Sequence, residues 1–498
     1  MTRKQALWLL ALCFALRAVS LFRPCLSDDE ATYCVVGREM LTGHALYRDV
    51  VDHKPPAIYV VNEAMQELAG PVGGQVALHV LLILVVWATA LVLAAIVRRD
   101  DGDGDPRGAP LAALLYIVFT TTLIDTDSLA ANCELFMMLP LAASVHEVLG
   151  ARGNALRLAR AGVLVGVAMM FKYQAGIQLP LYGAALIAWH RKELRVLVVG
   201  ALALAAGTAM PILAAVGWLA HRQAWPWAWF WFRFNFSYID AGGKLAMAKQ
   251  MALRVGFVVA AAAPLYALGA LAIRARRRAF LLGWLAASIA AVLVGGRFFG
   301  HYFHQITAPL AALAAPAAVR FLDRSRAGFA AALAVPAVIF VALAVAHDPL
   351  MRAAGEPDPD YASVVAWLDQ HAPRSAALCI WGNSPVLYFE ADRPLGCRFV
   401  FANYLTGLSP ATPTQTDPSA DSTKNVVPIA WDLLEQDLAA RRPAFIVDGS
   451  PGNIGFYAKY PPQAYPRLAK ILACDYREAA LVAGMRIYAR LPAPRCAG

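Results

Sequence analysis

The chemistry-bearing residues of this chain crowd into Ser27–Pro56, SDDEATYCVVGREMLTGHALYRDVVDHKPP. Asp28, Asp29 and Glu30 stand in succession, and Asp52, His53 and Lys54 follow before two prolines. Carboxylates at a membrane boundary can take a proton, and an ammonium beside an imidazole can hold an anion. Long apolar runs flank the segment. A dense polar stretch so placed must lie at a membrane surface or line a cavity, and we read it as half of an active site. Ser27-x-x-Glu30 is a capping-box pattern and predicts a helix from about Asp28 to Leu41. Capping alone would account for these acids, but Asp29, Tyr33 and Val36 share one helical face, which lets a carboxylate face a cavity while Glu30 caps. Pro55-Pro56 starts the next helix. Its Asn62, Glu63 and Glu67 lie beside Ile58, Val61, Met65 and Leu68, a pattern that suits a helix in the interface. Asp52, His53 and Lys54 sit at its mouth, where a solvated loop is the plain alternative.

Further clusters punctuate the apolar runs. IDTDSLAANCE brings Asp125, Asp127 and Glu134, with Glu134 where a span begins again. An acid just inside the boundary is costly and a functional candidate, as is Lys172 in MMFKYQAG, although a lysine there can snorkel. The Asp-x-Asp spacing by itself is weak support for a metal-nucleotide site. GGRFFGHYFHQ gathers Arg297, His301, Tyr302, His304 and Gln305. A phosphate ligand explains its arginine and histidines, and an interfacial aromatic belt explains its aromatics equally well. AWPWAWFWFRFNFSY, residues 224–238, reads as an interfacial anchor, or more sharply as a lipid-facing or sugar-stacking wall. P-loop, H-E-x-x-H and G-x-S-x-G motifs are absent.

The elements that must position these residues are membrane helices. The 498 residues are 59% hydrophobic and 16% charged, against about 25% charged in soluble domains. The net charge of +10 lies in short clusters between apolar runs and does not suggest nucleic acid. Spans are expected at 5–22, 76–97, 109–125, 134–149, 160–173, 175–190, 195–219, 252–273, 279–296, 305–320 and 327–346, about eleven by length. With simple alternation, the clusters around Arg98, Arg152, Arg191, Arg274 and Arg320 join Arg3 and Lys4 on one side, the cytoplasmic one by the positive-inside rule. Segments 23–75, 125–133, 220–251, 297–304 and everything after His347 then face outward.

The tail changes character. A helix is expected in EPDPDYASVVAWLDQHAP, short buried strands at Ala376–Trp381 and Ala444–Val447, a helix in LLEQDLAARRP, and a mobile loop at 409–425. Together they suggest a small α/β domain. Cys379, Cys397, Cys474 and Cys496 share this region, where an outward location permits a disulfide and simple burial of apolar thiols serves as well.

Asp29-Glu30-Ala31-Thr32-Tyr33, Gly43-His44-Ala45-Leu46-Tyr47-Arg48-Asp49 and Lys54-Pro55-Pro56 together resemble the first-loop motifs of GT-C glycosyltransferases. The similarity is to the branch of protein O-mannosyltransferases, lipid A aminoarabinose transferases and lipopolysaccharide galacturonosyltransferases. It covers roughly residues 5–346. The resemblance implies a polytopic α-helical inner-membrane protein, with a catalytic domain over 1–346 and an extracytoplasmic α/β domain over 347–498. It implies inverting transfer of a sugar from a polyprenyl-phosphate donor to a glycolipid, glycan or protein at the outer face. Asp29 matches the family's base, with Asp28 as rival and Glu30 of the same motif in the catalytic set. Glu134 matches a later acidic position, with Asp127 as rival. Lys54, Arg297 and His301, beside Tyr302, would hold the donor phosphate, and Tyr33, Asp52, His53 and Lys172 would position substrates. A divalent ion such as Mg or Mn is permitted by that chemistry without being required. A flippase for a lipid-linked saccharide and a non-catalytic assembly protein are the other classes. The first expects paired broken helices in related halves, and the sequence offers no such symmetry.

Overall fold

The computed structural model describes the chain apart from residues 24, 102–103, 124–127, 241–243, 273–277, 354–357 and 497–498. Asp125, Asp127, Arg274, Arg276 and Arg277 therefore lie outside the described residues.

Helix α1 spans Arg3–Arg17 and α2 spans Asp28–Leu41, the latter with the bounds that the Ser27 cap predicts. The Ser27 hydroxyl accepts from the Glu30 N–H at 3.2 Å. The next helix, α3, runs Ala57–Asp101 but breaks at Gly70, with φ 75 and ψ 178, just before Pro71. That left-handed φ suits glycine, and the following proline cannot continue the hydrogen-bond ladder. The break separates the expected interfacial helix from the long apolar one. A Cβ on Gly37 would lie 2.8 Å from the Glu63 backbone nitrogen, so glycine lets α2 lie directly on this first part of α3.

The helices that follow are α4 Gly108–Thr121, α5 Cys133–Leu149, α6 Ala155–Phe171, α7 Gln178–His190, α8 Leu194–His221, α9 Trp225–Asp240, α10 Lys244–Ala261, α11 Ala263–Ala272, α12 Ala279–Val294, α13 His304–Arg324 and α14 Arg326–Val345. Every expected span falls on a helix or on a helix pair. The count of about eleven crossings does not follow, however. Among the described residues, five helices are long and apolar enough to cross a membrane, or six if the pair bent by 87° near Ala262 is one span. At 1.5 Å per residue, the 14 residues of α4 reach only about 21 Å, short of a ~30 Å hydrocarbon core.

The C-terminal segment carries α15 Tyr361–His371, β1 Leu378–Trp381, α16 Pro385–Ala391, α17 Pro428–Arg441, β2 Phe445–Asp448, α18 Pro466–Asp475, β3 Tyr476–Val482 and β4 Met485–Arg490. Strand order is β1-β2-β4-β3, with β1 parallel to β2 and the other pairs antiparallel. Both expected strands and both expected helices appear. The β3–β4 hairpin is additional, and it turns through Ala483 and Gly484, both at positive φ. Cys474 and Cys496 form a disulfide. Residues 409–425, where composition predicts a mobile loop, are anchored at their start, while 416–419 are exposed. Ser409, Thr412 and Thr414 are buried and bond one another: Ser409 N–H donates to Thr414 Oγ1 at 2.9 Å, and Thr412 Oγ1 donates to the Ser409 carbonyl at 2.8 Å.

This segment is fastened to the first loop. Val51 N–H donates to the Arg398 carbonyl at 2.8 Å, Arg441 donates to the Asp49 carbonyl at 2.6 Å, and Arg38 pairs with Asp392 at 2.9 Å.

Candidate active site

The Lys54 turn is set by Tyr47. Its backbone takes φ 71, a left-handed value costly for an aromatic residue. The surroundings hold it there. Its N–H donates to the Val50 carbonyl at 2.8 Å, its hydroxyl donates to the Lys54 carbonyl at 2.6 Å, and its own carbonyl accepts from Trp231 Nε1 at 3.1 Å. Next to it, Asp52 accepts from the Tyr59 hydroxyl at 2.6 Å and pairs with His53 Nδ1 at 3.0 Å. Burial pushes the Asp52 carboxyl up, but His53 and Lys54 outweigh it and hold it well below the usual range. His53 Nδ1 also meets the Tyr404 hydroxyl of the C-terminal segment at 3.1 Å.

Lys54 Nζ reaches across to α2. It pairs with Asp29 Oδ1 at 2.7 Å and donates to the Tyr33 hydroxyl at 2.6 Å. A second pair stands opposite: Lys172, just past the end of α6, bonds Glu134 in the first turn of α5 and lies 3.5 Å from the centre of the Tyr302 ring. His301 Nε2 bridges the two pairs, 3.9 Å from Asp29 Oδ2 and 3.8 Å from Glu134 Oε1. The chain leading to α5 is held by a buried arginine of α1. Arg17 donates to the carbonyls of Ser128 and Leu129 at 2.7 and 2.8 Å.

These groups face one cavity of about 990 Å³. Asp28, Asp29, Tyr33, Asp52, His53, Lys54, Glu134, Lys172, His301 and Tyr302 all line it. Two expected residues do not. Glu30 turns away, paired with the buried His79 at 2.8 Å and accepting from the Leu26 N–H at 3.1 Å, so its carboxylate anchors the start of α2 instead of closing the capping box. Arg297 is buried beside the cavity wall and donates to Ser409, itself a lining residue, at 3.1 Å. Asp127 lies outside the described residues.

The aromatic run divides its tasks. Trp231 is buried against Tyr404, ring centres 4.7 Å apart, while Trp225 and Trp229 are exposed. Phe230, Phe232, Arg233 and Phe234 line the cavity. The opposite side comes from residues that the sequence did not single out: Asn383, Phe401, Asn403, Tyr404, Gln415 and Lys424. They belong to segments scattered through the C-terminal region, and no local spacing marks them.

Burial pushes the Asp29 carboxyl up, but the charges of Lys54 and His301 overcome this and hold it below the ordinary carboxylate value. Asp28 is exposed by surface, yet it lines the hollow among enclosing protein. That enclosure, and then the charge of Asp29, pushes its carboxyl up to about 7. A metal ion bound by Asp29 or Glu134 would have to displace a lysine already paired with it. Among the described residues, His347, Asp348 and Asp358 have ligand atoms close enough for a cation, and they do not line the cavity.

Neither a protein-family model nor a curated protein sequence matches the chain. Solved structures do. ArnT from Cupriavidus metallidurans bound to undecaprenyl phosphate superposes with a TM-score of 0.62 at 15% identity, over 99% of both chains. Its apo state gives 0.56 at 16%, over 97% of both. The archaeal oligosaccharyltransferase AglB from Archaeoglobus fulgidus, in complex with an inhibitory peptide and a dolichol-phosphate, gives 0.50 at 14% identity, over 99% of this chain and 75% of that one. The chain has the GT-C fold. Within this GT-C fold, the cavity joins the first-loop helix, the helix-end acid and lysine, and the C-terminal segment around one hollow.

Proposed function

We propose that the protein is an inverting glycosyltransferase. It moves a hexosyl or pentosyl group from a polyprenyl-phosphate donor to a glycolipid, glycan or protein acceptor. The observation that carries this reading is the cavity in which two lysine–carboxylate pairs meet across His301. The leaving group of such a donor is already a phosphate, so it needs cations more than a general acid. Lys54 is the primary phosphate ligand, with His301 beside it and Arg297 bracing the wall. In the resting site Asp29 holds Lys54. A donor phosphate draws the ammonium away, and Asp29 is left with less compensating charge, a higher proton affinity and the acceptor hydroxyl or amine to deprotonate. Displacement in line from the opposite face of the sugar inverts the anomeric centre. Asp28 is the rival base. Glu134 and Lys172 form a fixed neutral pair that shapes the donor pocket, and Tyr33, Asp52 and His53 orient Lys54. Lys54, drawn from Asp29 to the phosphate, supplies positive charge of the kind that Mg or Mn would bring.

The basic clusters support a multi-pass inner-membrane protein with its N-terminus in the cytoplasm. Residues 1–346 form the catalytic membrane domain, and 347–498 an outward α/β domain that completes the cavity. The bound undecaprenyl and dolichol phosphates of the similarly folded proteins support a lipid-phosphate donor.

The test is the purified chain in vesicles with polyprenyl-phosphate sugars and extracts of envelope glycolipids. The expected result is release of polyprenyl phosphate matched by a glycosylated product. Movement of the donor between leaflets with no bond broken would replace this reading with the flippase.

A further inference from the structure

Cys379 lies on β1 and Cys397 on the neighbouring segment, with their sulfur atoms 2.9 Å apart and both residues buried. Backbone contacts hold the two segments side by side. Leu378 N–H donates to the Pro394 carbonyl at 2.9 Å, Gly396 N–H donates to the Leu378 carbonyl at 2.7 Å, and Leu378 bridges Leu395 in parallel. A disulfide sulfur pair sits at about 2.04 Å. Closing the gap therefore takes under about 1 Å of movement, within reach of side-chain rotation. The same C-terminal segment already carries the Cys474–Cys496 disulfide.

We propose that Cys379 and Cys397 form a second disulfide in the mature protein, a reading that rests on the outward placement of this segment. It forms during folding, before the sulfurs are buried, by exchange with a protein disulfide donor. One cysteine thiolate attacks the donor disulfide, and the second thiolate then displaces the donor sulfur. The two cysteines lose two electrons and two protons in total, and the donor leaves as a dithiol.

The bond would lie where it matters for the site. Asn383 follows Cys379 by four residues and Phe401 follows Cys397 by four, and both line the cavity. Ala402 N–H donates to the Gly382 carbonyl at 2.9 Å, so the two segments of this wall already touch beyond the cysteines. Arg398, next to Cys397, accepts through its carbonyl from Val51 N–H at 2.8 Å, three residues before Lys54. The covalent tie therefore steadies both the C-terminal wall and the loop that presents the phosphate-binding lysine.

The test uses the full chain from membranes. Free thiols are blocked with N-ethylmaleimide in denaturant, without reductant, and peptides are mapped by mass spectrometry. The expected result is a linked Cys379–Cys397 peptide pair beside Cys474–Cys496, with only Cys13, Cys25, Cys34 and Cys133 alkylated. Alkylation of Cys379 and Cys397 with Cys474–Cys496 linked overturns the second disulfide alone. Alkylation of all four overturns it together with the outward placement. In Cys379→Ser and Cys397→Ser chains, the remaining partner should become alkylated, and a partner that stays blocked contradicts the pairing.

Discussion

The cavity has two unlike walls. One comes from the first loop and the helix ends of the membrane region, and it carries charge: Asp28, Asp29, Asp52, Lys54, Glu134, Lys172 and His301. The other comes from the C-terminal segment and is built mostly of amides, hydroxyls and rings, with Lys424 as its cation among the lining residues. Charged groups in an enclosed site stabilise developing charge strongly, whereas neutral hydrogen-bonding groups select shape. In the proposed reaction, the first wall would serve bond cleavage and the second recognition of the saccharide or acceptor. Arg38, Arg398 and Arg441 hold the two together through backbone and carboxylate contacts.

Substitutions on the two walls should separate rate from selectivity. The largest effect is expected from Asp29→Asn, which removes the proposed base and should lower kcat by about 10²–10⁴-fold. Product formation by purified protein checks it, and near-normal turnover would transfer the role to Asp28. Lys54→Met should follow, with a loss of about 10²–10³-fold as phosphate stabilisation disappears. The pH dependence of kcat/KM distinguishes the acids further. Asp29 is held below the ordinary value, so it stays ionised as pH falls, and the acid limb should lie below about pH 4. An acid limb at about 7 that vanishes in Asp28→Asn would instead assign the base to Asp28. The smallest effect belongs to the second wall. Lys424→Ala should raise KM for an anionic acceptor by less than about fivefold, since an exposed charge contributes little, and kcat should stay the same.

Much of the first wall was legible in the sequence because its chemistry is local. Asp29 and Tyr33 share a helical face, Ser27 caps their helix, and the Lys54 turn abuts two prolines that start the next. Glu134 and Lys172 could be suspected singly from their depth in apolar runs, but their pairing joins side chains 38 residues apart in the chain and no spacing announces it. Glu30 illustrates the limit of a motif: the capping pattern placed its helix correctly, yet the side chain was claimed by His79, a residue of a different helix. The second wall was illegible for the same reason. Tyr404 acquires meaning only through His53 and Trp231, and the Ser/Thr stretch at 409–425 reads as loose until its hydroxyls are seen bonding one another. Span positions were legible from apolar runs, whereas span number is not fixed by them, because apolar composition marks burial as readily as membrane crossing.

In the proposed reaction, Lys54 is shared between Asp29 and a lipid phosphate. Equilibrium binding of polyprenyl phosphate to the unmodified chain, Lys54→Met and Asp29→Asn measures that sharing directly. Binding should be largely lost in Lys54→Met and should tighten in Asp29→Asn, where the competing carboxylate is gone. Equal affinity in all three would contradict it.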